Sequence, residues 1–141
     1  MPYDGDGVDL KTFAEALGEE IAADPTPTCI IAGADLSHVG RRFGDDCNLD
    51  EPFLQQVEKK DRKALQCVTD RQAEAFRLAV AEGDNDTRVC SAGSIFTLLT
   101  AMDRAYGSSR VAADLLRYHQ AVDPEWGTCV TCAAVAFTLS A

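Results

Sequence analysis

Apolar positions along this chain recur in two rhythms. Leu10, Phe13, Leu17 and Ile21 fall along one face of a helix, with Asp9 ahead of them as a cap. Pro25 and Pro27 end that helix after about Ala23. Phe53, Leu54, Val57, Ala64, Leu65 and Val68 mark a second helical segment reaching about Gln66. Asp70 is placed to cap a third, with Ala73, Phe76, Leu78, Val80 and Ala81 on its apolar side and Gly83 as its stop. A fourth, from about Gly93 to Tyr106, turns Ile95, Leu98, Leu99 and Met102 inward. Other stretches lack the helical period. Cys29 to Ala34 is a short uncharged run of the kind that forms a strand covered on both faces. Leu115 to Val122 and Thr128 to Leu139 read as extended, and the turn-rich Asp123-Pro124-Glu125-Trp126-Gly127 between them predicts an antiparallel hairpin. The pattern is that of an α/β chain without repeats, low-complexity tracts or internal linkers.

The run Cys29 to Ala34 stops at Asp35, and Ser37 and His38 follow at once. Ligands in open α/β sheets bind just beyond the carboxyl ends of strands, so a carboxylate, a hydroxyl and an imidazole arriving there are placed for chemistry. Asp35 and His38 can share a hydrogen bond if the backbone turns between them. The plainer alternative is that Asp35 caps the turn and His38 is a satisfied, half-buried histidine. Cys90 is the second candidate, lying between a polar loop and a helix start, with the small residues Ser91, Ala92, Gly93 and Ser94 behind it. Small residues let a ligand approach the backbone, and a helix N-terminus favours the thiolate that binds metal or attacks an electrophile. A buried structural cysteine is the alternative there. His119, on an expected strand, is read as structural.

Composition narrows the classes. The chain has 141 residues, 46% of them hydrophobic, which suits one domain or part of one and excludes a disordered chain. Its net charge of −10 repels phosphate backbones, and Arg41-Arg42 and Lys59-Lys60 are only pairs, so nucleic acid is excluded as a partner. No apolar stretch approaches the ~20 residues that span a bilayer. The polar, acidic start MPYDGDGVDL shows no signal peptide, and a cytoplasmic location is expected. The six cysteines are then expected to be mostly reduced. Cys129 and Cys132 form a CxxC, but residues three apart on a strand point to opposite faces, so the two thiols should not share a metal.

Four pieces, ADLSHVGRRFGD, EKKDRKAL, RVCSAGSIFTLLTAM and LLRYHQAVDPEWGTCVTCAAVAF, resemble in order and spacing the second half of the Memo family, more closely its bacterial branch, the AmmeMemoRadiSam system protein B group. The resemblance runs from about Leu10 to Ala141. It implies the fold of the class III extradiol ring-cleaving dioxygenases, an αβ architecture around a metal-sized pocket. The expected fold is the C-terminal half of such a domain, a mixed sheet flanked by helices with a C-terminal β-hairpin, residues 1–141 forming one partial domain without its N-terminal half. The resemblance also implies that Asp35 and His38 line the pocket as catalytic residues, His38 in the place of an acid/base histidine. Cys90 would stand where the dioxygenases have a carboxylate ligand, making Cys90 and His38 the metal ligands. Val39 and Ser91 replace the Trp and Gly often found in the family, changes of pocket shape. Two further metal-ligating histidines of the family lie upstream of anything matched here.

The implied cofactor is iron or copper, with an incomplete ligand set. A companion chain or the N-terminal half is the expected partner, and the Cys29 region should otherwise present an uncovered edge or apolar face. Three functions compete, in this order: a metal-pocket protein with a redox activity, inactive alone; a non-enzymatic module binding a peptide or protein in the same pocket; and a thiol-dependent hydrolase or transferase with Cys90 as nucleophile and His38 as base.

Overall fold

A computed structural model describes residues 9–46, 48–107 and 110–139. Helix α1 (Leu10–Ala23) begins at Asp9, whose carboxylate accepts from the Lys11 amide and the Thr12 hydroxyl. Strand β1 (His38–Gly40) is followed by one 3-10 turn (Arg41–Phe43). Helix α2 (Glu51–Thr69) has Asp50 as its cap and Pro52 in its first turn, and α3 (Ala73–Ala81) follows after a tight turn. Helix α4 (Ala92–Tyr106) leads into β2 (Val111–Asp123) and β3 (Thr128–Leu139), which form the expected hairpin.

The sheet order is β1-β3-β2, and both pairings are antiparallel. Helices cover one face. Phe76, Leu99, Leu65 and Val68 pack there with Leu36 and Ile95, against Leu115, Tyr118, Val135 and Phe137 from the strands. A second, smaller core of Val39, Val57 and Cys129 sits under β1. The register of β2 slips between Leu115 and Arg117, and Leu116, the extra residue, is exposed.

Two expectations change. Cys29 to Ala34 is extended but joins no sheet: among the described residues no backbone hydrogen bond engages it, and Ile31 is 85% exposed. A strand needs a neighbour's amides and carbonyls, and nothing described here offers them, so the run lies unpaired beside α4 and β3 and the sheet is antiparallel rather than mixed. Asp70 does not cap α3. It ends α2, and Arg71 turns the chain through a left-handed conformation (φ 59°), so α3 starts after Gln72 without a side-chain cap. The polar opening, MPYDGDGV, lies outside the described residues. Among the described residues no helix is long and apolar enough to cross a membrane.

Candidate functional site

The segment between the unpaired run and β1 is held from both sides. The Leu36 amide donates to the Thr131 carbonyl (2.8 Å) and the Thr131 amide to the Ser37 carbonyl (2.9 Å). This fixes the Leu36–Ser37 backbone against β3 and sends the flanking Asp35 and His38 side chains into the same space. The His38 amide donates to the Thr87 carbonyl (2.7 Å), which ties β1 to the loop before α4.

That loop is strained. Gly83, Asp84, Asn85 and Arg88 all have positive φ, an uncommon conformation for the three that are not glycine. Asn85 steadies the bend, its side chain accepting from the Val89 amide (2.9 Å) and donating to the Val89 carbonyl. The left-handed turn at Arg88 aims its carbonyl at the His38 ring and delivers Cys90 to the start of α4.

Asp35, His38 and Cys90 converge. One ligand atom from each lies within 4.8 Å of the others, and the residues come from two places in the chain 55 positions apart. His38 Nε2 stands 3.1 Å from Asp35 Oδ2, and Cys90 Sγ is 3.6 Å from Asp35 Oδ1. Ser91 donates its hydroxyl to Asp35 Oδ1 at 3.0 Å instead of capping its own helix. Ser91 thus adds a hydrogen bond to the site. The His38 side chain is 16% exposed and packs edge-on against Phe43, while Asp35 is 38% exposed and Cys90 lies open.

The protonation of the ring follows from its neighbours. His38 Nδ1 lies 3.1 Å from both the Leu36 and the Arg88 carbonyl oxygens, and carbonyls only accept, so Nδ1 carries the hydrogen. In the neutral ring Nε2 then holds a lone pair, and that lone pair faces a carboxylate oxygen. A lone pair and a carboxylate oxygen turned toward one another are two donors that a metal cation can share. An imidazole, a carboxylate and a thiol within shared-ligand reach are donors that transition metals use, and a carbonyl on the remote ring nitrogen is the usual support for a ligating histidine.

Around this cluster lies a tier of polar residues that sequence reasoning did not single out. Arg88 pairs with both carboxylate oxygens of Asp45, which also accepts from the Gly40 amide (2.7 Å). Asp61 of α2, fully buried, accepts from Ser37, Tyr118 and Thr131. Its place in the sequence carried a signal: Val57, Asp61, Ala64, Leu65 and Val68 share one helix face, so Asp61 is a charge on an apolar stripe. His119 sits on exposed β2 opposite Cys132, away from the cluster. The CxxC thiols diverge as expected, Cys129 buried and Cys132 exposed. The five described cysteines are free thiols. Beside Cys90 opens a cleft of about 550 Å³, bounded by Leu10, Phe13 and Leu17 of α1, the run from Ile30 to Gly33, and α4.

Helices on one face of a small antiparallel sheet, with an Asp/His/Cys cluster where the strand, a strained loop and a helix start meet, define an α/β pocket protein. The family model for Memo-like proteins matches residues 5–136, and the chain belongs to the Memo family. No curated protein matches it.

Proposed function

We propose that Asp35, His38 and Cys90 of this Memo-type domain hold a transition-metal ion, iron or copper, in a pocket related to that of the non-haem iron dioxygenases. The observation that carries this reading is the His38 ring, anchored through Nδ1–H to two carbonyls with its Nε2 lone pair turned on the Asp35 carboxylate. Such an ion would supply Lewis-acid or redox chemistry. His38 would orient a ligand or move a proton at Nε2, Asp35 would balance its charge, and Cys90 would bring a soft thiolate that favours Cu(I), with Zn and Fe(II) next. Stable sites use three or four protein ligands, so this three-donor set alone binds weakly and does not turn over. Further donors come from a companion chain or an N-terminal half, which would also cover the unpaired Cys29 run.

Calorimetric titration with Cu(I) and Fe(II) tests the reading. Cys90→Ser and His38→Ala each weaken binding, whereas Cys129→Ser and Cys132→Ser leave it unchanged. Loss of metal in the CxxC variants with retention in Cys90→Ser overturns it.

The cleft beside Cys90 supports a second reading, a module that binds an apolar peptide side chain against Leu10, Phe13 and Leu17. Phe13, 51% exposed, is the α1 residue of the wall most open to a ligand. Metal-free protein that captures a peptide from a random library, and loses it in Phe13→Ala, favours this reading over the first.

A further inference from the structure

We propose that Asp61 is a positioning residue for the Asp35–His38–Cys90 cluster, acting through Ser37. Asp61 lies on α2 and touches none of the three. Its Oδ1 accepts the Ser37 hydroxyl at 2.6 Å, and its Oδ2 accepts the Thr131 hydroxyl at 2.6 Å and the Tyr118 hydroxyl at 2.8 Å. The Thr131 oxygen in turn accepts the Ser37 amide at 2.8 Å. One carboxylate therefore reaches Ser37 by two routes, directly to its side chain and through Thr131 to its backbone. Asp61, Ser37 and Thr131 are all buried to 2% exposure or less, so these bonds have no competition from water.

Ser37 is the hinge of the site. It stands between Leu36, whose carbonyl accepts from His38 Nδ1, and His38 itself. Its amide, carbonyl and hydroxyl are all engaged, so the backbone turn that faces Asp35 toward His38 has one setting. Without Asp61 the Ser37 hydroxyl is a buried donor without its acceptor, and the turn is free to rotate toward another partner. The carbonyl of Leu36 then leaves the ring, and His38 keeps only the Arg88 carbonyl of the two that fix its tautomer. Supports of this kind change metal affinity about 10–100-fold in other sites.

The inference rests on His38 and Asp35 being the working residues and not on the identity of the ion, so the decisive measurement uses the metal-free chain. Long-range ¹H–¹⁵N spectra of the histidine rings report the tautomer, and exposed His119 serves as the internal reference. In the wild type, neutral His38 shows a single Nδ1–H form. Asp61→Asn and Ser37→Ala both turn it into a tautomer mixture and weaken Cu(I) binding about 10–100-fold. Tyr118→Phe removes a donor from the same carboxylate but leaves both routes to Ser37, so it lowers the melting temperature with the His38 pattern intact. A merely structural role predicts that all three variants act alike. Should Asp61→Asn fail to fold, Ser37→Ala decides. An unchanged His38 ring in folded Ser37→Ala, a Tyr118→Phe spectrum altered as much as that of Ser37→Ala, or mixed tautomers in the wild type overturns the inference. A wild type that binds no Cu(I) refutes the metal reading alone, and the ring spectra still decide the role of Asp61.

Discussion

Arg88 grips Asp45 with both arms of its guanidinium while its own carbonyl accepts from the His38 ring, so an ion pair and the site share one residue. The Arg88 backbone is left-handed (φ 57°), a conformation that costs an L side chain roughly 1 kcal/mol. The pair with Asp45 and a further bond from the guanidinium to the His38 carbonyl hold it there.

This arrangement has a pH signature. Burial pushes the Asp45 carboxyl up, but the Arg88 guanidinium and the Gly40 amide outweigh it and hold the carboxyl below its ordinary value. A lowered carboxyl contributes stability that is present above the unfolded value near pH 4 and lost as pH falls through the folded one. Urea unfolding at pH 7 should show Arg88→Ala less stable by roughly 1–3 kcal/mol, and the gap to wild type should shrink by pH 3. A gap that is constant with pH refutes the assignment.

Gly18 should reverse the usual rule for glycine in a helix. Alanine there normally stabilises by about 1 kcal/mol. Here a Cβ would meet the Ala101 carbonyl oxygen and Arg104 Cβ, each at 2.6 Å, because α1 and α4 pack almost backbone to backbone. Gly18→Ala should therefore destabilise by roughly 1–3 kcal/mol in thermal or urea unfolding. Equal or greater stability would show that α1 can slide away from α4 freely.

The two thiols of the CxxC should behave as strangers. Burial, and next the Asp61 carboxylate, push the Cys129 thiol up, while Cys132 lies in solvent. Brief alkylation of native protein followed by peptide mapping should label Cys132 and spare Cys129 until denaturant is added. Equal labelling would mean that β3 opens readily.

Tyr118 should resist ionisation. Burial pushes its hydroxyl well above the usual range, and donation to Asp61 pushes it the same way. An absorbance titration should show one tyrosine, absent from the titration of Tyr118→Phe, that stays neutral until alkaline unfolding. The sign for stability follows: the contribution is whole below pH 10 and is lost above it, as the unfolded chain ionises first. Tyr118→Phe should flatten that alkaline loss.

The helices were legible because their apolar residues repeat at the helical period, and α1, α2 and α4 fall within a few residues of expectation. The face of α1 was less legible. Leu10, Phe13 and Leu17 mark the apolar stripe, yet Ala14 and Gly18 are the buried residues, since close helix packing selects small side chains that a hydrophobic pattern does not weight. Cys29 to Ala34 has a strand's composition, but pairing depends on a neighbour and composition cannot supply one. The meeting of Asp35, His38 and Cys90 was legible from local chemistry and the family resemblance. Asp45, Asp61 and Arg88 were not, because a charge in a run such as EKKDRK reads as solvated until its place on an apolar helix face is weighed.

The spacing of the cluster along the chain has a consequence for how the protein comes to exist. Cys90 and Asp35 meet across 55 positions, and Ser37 and Thr131 across 94. Contacts that distant close large loops, and the entropy of closing them must be offset before the cluster exists. The unfolded chain therefore holds no such cluster, and whatever binds it binds the folded state. At a concentration one hundred times its dissociation constant, such a ligand would add about 2.7 kcal/mol to the stability of the whole domain. Melting temperature becomes a gauge of occupancy, and a cell short of that ligand would hold less of the folded protein.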